Sequence, residues 1–536
     1  MHGMKDYKLI ERTLGSILED QARTNGDAVY LRFRHEQISY HDFDTNVDRV
    51  ANSLLKLGVS TGDKVAILMP NCPQFMYTWF ALAKIGGIAV PINTAYKWDM
   101  LRYALQECDA RLLIIGSQFL ERLLPIEKGL TKLKRLIVYD ESGQRQATRT
   151  KFEYLAYDDL LNGPATRIET EVRFSDPMAI IFTSGTTGPS KAVLRSHHQF
   201  YSIASHCVRV MRATSEDVLY TCLPLCHGTA HTFTALSALL CGAQFVLGER
   251  FSASAFWHEV REYKATAFSA AGTLLTMLHR QPPQPDDADN PIRVVPSASS
   301  IDLEIHRDFE RRFQVEVIEL YGLTEAGIVT SNWPDDERPG SCGRALPEYE
   351  VKLFDDNDNE VGPNTAGEIV VRPRKPWLTM LGYYNDPEGT VQVCRNLWFH
   401  TGDIARRDED GFFYFVDRKK DAIRRRGENI SAFEVERVVD SHPAVLESAA
   451  VAVPSELGED EVKIVVVLKE GATVKPEELV AFCDERLPYF AVPSYVQFKE
   501  SLPKTTNERV QKHVLREEGV TSDTWDRIKS GFKPRR

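Results

Sequence analysis

The chain has 536 residues, 43% hydrophobic and 26% charged, with a formal net charge of −11. These are globular proportions, and they exclude a disordered chain, a collagen-like chain and a coiled-coil rod. The acidic surplus argues against a broad nucleic-acid or anionic-membrane surface, and the length fits about three or four units of roughly 100–200 residues.

In chain order, the first 21 residues hold no uninterrupted apolar run, so no signal peptide is expected. Val47, Val50, Ala51, Leu54 and Leu55 recur at helical spacing. Val65 to Met69 reads as a buried strand, Pro70-Asn71 breaks it, and a helix runs on towards Gly86-Gly87. Ile88-Ala89-Val90 is the next strand, and strand–helix–strand at this spacing predicts a parallel, helix-covered sheet. The longest apolar stretch, Thr78 to Asn93, is interrupted by Lys84, two glycines and Pro91, so no membrane span is expected. Strand patterns recur at Ala110 to Ile114, Val218 to Leu223 and Val315 to Leu320.

Phe182 to Lys191 follows the strand-like Ala179-Ile180-Ile181. Its hydroxyl residues and glycines let backbone approach an anion, offer N–H and O–H donors, and end at a lysine charge. It is not a Walker A loop, because no Gly-Lys-Ser/Thr opens a helix. A flexible linker is the plainer reading, but linkers do not usually follow a buried strand. Further on, Cys222, Cys226, His227 and His231 lie within ten residues. Structural zinc usually takes two short ligand pairs separated by a longer loop, so buried thiols beside a functional histidine fit better. The nine cysteines are odd in number and scattered, which reads as reduced thiols in a cytoplasmic protein.

Tyr321-Gly322-Leu323-Thr324-Glu325 brings an aromatic, a hydroxyl and a carboxylate to a strand end, where open α/β sheets bind ligands. Alone, an ordinary strand–turn explains it equally well. After about residue 340, turn signals at Asp355 to Asn359, Gly362-Pro363 and Asp410-Gly411 separate short strands, including Gly367 to Val371 and Phe412 to Val416. They suggest a small antiparallel or barrel-like unit. His400-Thr401-Gly402-Asp403 holds a carboxylate suited to a pair of ribose hydroxyls, although Gly-Asp is also a common turn. Asp417 to Asp421 and Arg424-Arg425-Arg426-Gly427 form a basic stretch interrupted by acids, which argues against nucleic acid as the partner. Beyond it, Ala449 to Val453 and Lys463 to Leu468 read as strands, Pro476 to Leu487 as a helix, and the last residues as polar and frayed.

In this order and spacing the four motifs resemble the adenylate-forming superfamily of acyl-CoA synthetases, luciferases and adenylation domains, from Ile38-Ser39-Tyr40 to Leu515. Leu223-Pro224-Leu225-Cys226-His227 and Phe251 to Trp257 resemble the carnitine/crotonobetaine-CoA ligase-like group most. The resemblance implies an α/β and β protein. Its large body (1–419) would combine helix-covered sheets with a small β-barrel-like subdomain. A mobile α+β lid (420–518), hinged at Lys420, and a polar tail (519–536) would follow.

The implied activity joins a carboxylic acid to ATP, giving acyl-AMP and pyrophosphate, then to CoA, releasing AMP. Thr183, Ser184, Gly185, Thr186, Thr187, Gly188 and Lys191 would hold the β- and γ-phosphates. Tyr321 and Ser299 would hold adenine, Thr324 the α-phosphate, Glu325 Mg²⁺, and Asp403 the ribose, with Arg418 nearby. His227 would line the acyl site, Gly427 the pantetheine tunnel, and Arg424 would add positive charge for anionic ligands. The implied partners are the acid, ATP and CoA, with no nucleic acid and no integral membrane segment; a homodimer is compatible with the resemblance.

One departure stands out. The family loop Pro-x-Thr-x-x-Gly-Lys reads here from Pro503 to Arg509, with Glu508 for glycine and Arg509 for the catalytic lysine. Arginine keeps the charge but is larger and planar, so it is not an equivalent point charge. Either Arg509 does the lysine's work, or Lys504 or Lys512 substitutes, or adenylation is weakened. Three functions therefore stay open: an acid–CoA ligase, an adenylating enzyme with a carrier thiol or amine acceptor, and a weak nucleotide-binding protein. No aromatic cage marks a quaternary ammonium substrate, and a short- or medium-chain carboxylic acid is expected.

Overall fold

The computed structural model describes residues 3–141, 150–183, 190–298, 301, 303–418, 422–455, 458–503 and 510–535. The chain forms two compact units. The first comprises Met1–Thr94, Leu105–Ile181 and Ala192–Asp417; the second comprises Ala95–Ala104, Phe182–Lys191 and Arg418–Arg536.

Two large sheets organise most of the chain. Among the described residues, one has eight strands in the order Gly382–Tyr383, Lys191–Ser196, Pro177–Thr183, Ile88–Pro91, Lys64–Leu68, Leu112–Gly116, Arg135–Tyr139 and Glu153–Ala156. Its centre is parallel, with Lys64–Leu68 between Ile88–Pro91 and Leu112–Gly116. The other has nine strands, and its middle is also parallel: Gln244–Leu247, Val218–Thr221, Ala267–Phe268, Val294–Ser297 and Glu316–Leu323. Antiparallel hairpins close both edges of that sheet. The strand–helix–strand pattern of the sequence thus produces the parallel sheets it predicts.

Helices fill the space between the sheets. Pro73–Ile85 starts with Pro at its first turn and stops at Gly86, whose φ of 69° is the left-handed cap that glycine adopts without penalty. It is buried on nearly every side, which is why its sequence shows no polar stripe. Tyr40–Lys56 is capped by Ser39, which accepts from Asp42 N, and buries Phe43, Val47, Val50, Ala51 and Leu54. Leu55, expected on that face, is instead exposed. One contiguous core joins these helices to Val65 and Ile67 of one sheet and to Leu219, Phe245 and Ile318 of the other.

The expected small β unit is a four-stranded antiparallel sheet of Tyr349–Phe354, Gly367–Pro373, Phe399–Arg407 and Phe413–Arg418. The second unit carries a sheet of Val445–Pro454, Asp460–Leu468, Tyr495–Phe498 and Trp525–Asp526, with the helices Ala432–Asp440 and Pro476–Arg486. Here one expectation is corrected. Residues 520–535 are not simply frayed: Trp525–Asp526 pairs with Tyr495–Phe498, and Arg527 is buried with Nη2 donating to Ser494 Oγ at 2.9 Å. A two-residue strand has no periodicity for a sequence reading to detect. Among the described residues no helix is long and apolar enough to cross a membrane.

Candidate active site

The Tyr321 motif sits where a parallel strand turns back on itself. Glu316–Leu323 runs parallel to Val294–Ser297, and Thr324-Glu325-Ala326 form the turn into the antiparallel Gly327–Ser331. The motif therefore begins inside the strand. Gly322 is required there: a Cβ would lie 2.4 Å from Gly327 O and 2.9 Å from Ile328 Cα. Both are backbone atoms that cannot swing aside.

Asp403 comes from a different sheet. Strand Phe399–Arg407 bulges against Gly367–Pro373 between Glu368 and Val370, and Gly402 takes φ 74° within the bulge. Glu368 holds the bulge from one side, accepting from Gly402 N at 3.0 Å, and Thr401 Oγ1 accepts from Asp403 N at 3.1 Å. Bulges of this kind re-aim side chains. The re-aimed Asp403 carboxylate is 4% exposed and accepts a 2.7 Å hydrogen bond from Tyr321 Oη. Two motifs 82 residues apart are thereby joined directly.

Glu325 is half-buried, and its Oε1 accepts from Tyr383 Oη at 3.0 Å. Its backbone is also fixed: Met380 N donates to Glu325 O at 2.6 Å, and Gln199 Nε2 donates to the same oxygen at 3.0 Å and to Thr324 O at 3.3 Å. Gln199 is fully buried on the helix His197–Met211, and its Oε1 accepts from Arg195 Nε at 3.2 Å. Arg195, Gln199 and Tyr383 escaped the sequence reading. The available signal was a charge in the otherwise apolar run Ala192-Val193-Leu194-Arg195. Burial, opposed by Tyr349 and Glu325, pushes the Arg195 guanidinium down to about 10, so it remains charged at neutral pH.

His227 is half-buried, its N–H donating to Pro224 O at 3.1 Å. His231 is fully buried, stacks on Trp79 at 4.0 Å between ring centroids, and is driven by burial to about 3. It is a neutral packing group. Cys222 and Cys226 are buried thiols. Among the described residues no group of three or more His, Cys, Asp or Glu side chains is placed to hold a metal.

In the second unit, Thr183 ends the strand Pro177–Thr183, and Lys191 opens Lys191–Ser196. Ser190, just before it, donates to Glu434 Oε1 from N at 3.2 Å and Oγ at 2.8 Å. Arg418 is the last residue of Phe413–Arg418. The basic run is a hairpin, Ala422–Arg425 with Glu428–Ser431. Arg426 and Gly427 turn it at φ 53° and 79°, so glycine is favoured at 427 on conformation alone. Glu459 organises this turn, accepting from Gly427 N at 2.9 Å and lying 3.4 Å from Arg424 Nε. Arg425 is interior, donating to Phe490 O and Val492 O and pairing with Glu461 at 2.6 Å. Ser184, Gly185, Thr186, Thr187, Gly188, Ser299, Lys420, Lys504, Glu508 and Arg509 lie outside the described residues.

Comparison with known proteins agrees with this arrangement. The AMP-binding enzyme family matches residues 18–384, and the AMP-binding enzyme C-terminal domain matches residues 434–509. Crotonobetaine/carnitine–CoA ligase of Salmonella heidelberg (strain SL476) is 32% identical over 515 residues, covering 94% of this chain and 99% of that protein. The Escherichia coli (strain ATCC 8739) protein of that name is 32% identical over 483 residues, covering 89% and 93%. Among solved structures, o-succinylbenzoate CoA synthetase (MenE) from Bacillus subtilis superposes with a TM-score of 0.79 at 25% identity, covering 94% of this chain and 98% of that one. The amide bond synthetase McbA from Marinactinospora thermotolerans gives 0.80 at 25%, covering 94% and 99%. With the motif order and the joined Tyr321 and Asp403, these matches show that the chain belongs to the AMP-binding enzyme family, as an adenylate-forming acyl-CoA ligase.

Proposed function

We propose that this enzyme converts a free carboxylic acid to its CoA thioester through an acyl-adenylate, releasing pyrophosphate in the first step and AMP in the second. The observation that carries this reading is the Tyr321–Asp403 hydrogen bond of 2.7 Å, which sets an aromatic face beside a buried carboxylate. That pair suits adenine and ribose together. The adjoining Thr324-Glu325 turn would then meet the phosphates.

The acid is ionised at neutral pH, so its activation needs no general base. What the step needs is relief of repulsion between two anions. In this reading Thr183, Ser184, Gly185, Thr186, Thr187, Gly188 and Lys191 take the outer phosphates, Thr324 the α-phosphate, and Arg509 the charge that builds there. Ser299 supports adenine, Arg418 stands by the ribose, Arg424 and Gly427 serve the CoA side, and His227 borders the acyl group. Glu325 fits Mg²⁺: it offers a half-buried carboxylate oriented by Tyr383, and Mg²⁺ commonly takes one or two carboxylates plus phosphate oxygens. When bound, the ion would neutralise phosphate charge. The cysteines, eight of nine buried, support a reducing cytoplasmic setting. A homodimer is compatible with the family resemblance, and light scattering tests it.

A carboxylate panel with ATP, Mg²⁺ and CoA, scored by AMP release, tests the proposal. AMP formation that depends on both an acid and CoA is expected. The likeness to an amide bond synthetase favours one second reading, an amine acceptor. AMP release that requires an amine and ignores CoA would select it. Tight ATP binding without turnover of any acid would leave only a nucleotide-binding role.

A further inference from the structure

Arg195 is a buried cation whose charge the protein leaves largely unanswered. It is 2% exposed and forms no ion pair with a carboxylate among the described residues, although Glu325 and Tyr349 are near enough to favour its charge. Two other buried cations are paired with carboxylates, Lys84 with Asp44 and Asp48 at 2.6 Å and Arg425 with Glu461 at 2.6 Å, while the buried Lys463 and Arg527 are met by neutral oxygens, Gly519 O at 2.6 Å and Ser494 Oγ at 2.9 Å. Of the five donors on Arg195, Nε is bonded to Gln199 Oε1, and Nη2 is buried with no partner. The guanidinium lies over the Phe200 ring at 4.2 Å, which fixes its plane without supplying a negative charge. A buried guanidinium in this state is expensive, and such a site is normally completed by an anion.

The direction of the open edge is given by Gly228. A Cβ placed there would meet Arg195 Nη1 at 3.0 Å, and no atom outside His227, Gly228, Thr229 and the backbone of their own helical turn lies nearer than 4 Å besides it. The space beside Nη1 is therefore bounded by the backbone that follows His227. His231, close enough to feel the charges of both Arg195 and His227, is held neutral by burial and supplies no counter-charge. On the other side, Gln199 ties Arg195 to the carbonyls of Thr324 and Glu325. The unsatisfied cation thus sits between the His227–Gly228 segment and the Thr324-Glu325 turn.

From this arrangement we infer that Arg195 is a specificity-determining residue that binds a second anionic group on the acid substrate, making the substrate class dicarboxylic or similarly bifunctional acids. The assignment rests on the ligase reading above. The anion it takes is the non-reacting one, for a physical reason. The reacting carboxylate loses its charge when it becomes the acyl-adenylate, so a buried cation paired to it would be stranded within the first step. Holding that carboxylate would also stabilise the ground state and slow attack. A distal carboxylate keeps its charge through adenylate and thioester, and so satisfies Nη1 and Nη2 throughout. Its two oxygens match the forked donors of a guanidinium.

The test compares length-matched acids, succinate against butyrate and adipate against hexanoate, by CoA-dependent AMP release. The wild type is expected to favour the diacids by roughly 100-fold in kcat/KM, because the monoacids leave the buried charge unpaired. Arg195→Leu should reverse the ranking, losing the diacids and gaining the monoacids, and Arg195→Lys should retain part of the diacid preference. A wild type that prefers the monoacids overturns the inference while leaving the ligase reading intact. So does an Arg195→Leu enzyme whose diacid-to-monoacid ratio equals that of the wild type. If Arg195→Leu is insoluble, the wild-type ranking and the Arg195→Lys ratio decide. If no acid is turned over, the ligase reading has failed separately, and calorimetry of succinate and adipate decides for Arg195. Equal binding to wild type and Arg195→Lys then overturns it, and weaker binding to the variant supports it.

Discussion

Gln199 Nε2 donates to Glu325 O at 3.0 Å, so a fully buried side chain 126 residues away fixes the turn that presents the Glu325 carboxylate. Gln199→Leu keeps the volume but leaves the Thr324 carbonyl and Arg195 Nε short of a partner, while Glu325 O keeps its bond from Met380 N. Each buried group left unsatisfied costs about 1–3 kcal/mol, so the melting temperature should fall by several degrees. Adenylation should fall further than the loss of folded protein accounts for, as read by pyrophosphate release per folded molecule in a calorimetrically matched sample.

Tyr321→Phe removes the 2.7 Å bond to Asp403 and keeps the ring. The KM for ATP should rise about five-fold, the equivalent of roughly 1 kcal/mol, with the KM for the acid unchanged. Steady-state kinetics with each substrate varied in turn check this. An equal rise in both constants would mean that the pair supports the fold and not the nucleotide.

His306 carries a pH dependence of its own. It is 1% exposed; burial opposes its charge, but Glu310 at 3.3 Å and Glu319 at 3.5 Å outweigh that and push it up to about 9. Because the folded value lies above the unfolded one, about 6.5, the protonated histidine stabilises the protein fully below that pH. The contribution is lost as pH rises through about 9. Urea melts at pH 6 and pH 10 should therefore show a drop on the order of 2–3 kcal/mol from this group. His306→Gln should flatten that part of the profile. An unchanged slope in the variant would assign the dependence elsewhere.

Arg509 stands where the family loop carries its lysine. Arg509→Ala should reduce pyrophosphate release by about 10²–10³-fold, the usual cost of one charged donor at a developing oxyanion. Arg509→Lys should keep most of the rate. An alanine variant with undiminished release would transfer the role to Lys504 or Lys512.

Much of the fold was legible because burial leaves periodic marks. The strands around Val65 to Met69 and Ile88 to Val90, and the helix between them, follow from apolar runs broken by Pro70-Asn71 and Gly86-Gly87. Signals without period were not legible. Leu55 fits the helical spacing yet faces outward, and the two-residue strand Trp525–Asp526 lies in what reads as a polar tail. At Gly427, φ of 79° in a two-residue hairpin turn adds a conformational reason for glycine that the sequence does not show.

By itself the sequence determined the motif set and its order, because the Phe182–Lys191, Tyr321 and Asp403 segments each need particular residue types at short range. Their chemistry is local, and local chemistry is written in consecutive residues. Only the tertiary structure decided which of those residues meet. The Tyr321–Asp403 bond depends on a bulge that re-aims one strand. The clamp of Gln199 on Thr324 and Glu325 depends on a helix packed beneath a hairpin. The unpaired charge of Arg195 is visible only once the neighbours that might have answered it are known, because the cost of a charge is set by its surroundings in space and not by its neighbours along the chain.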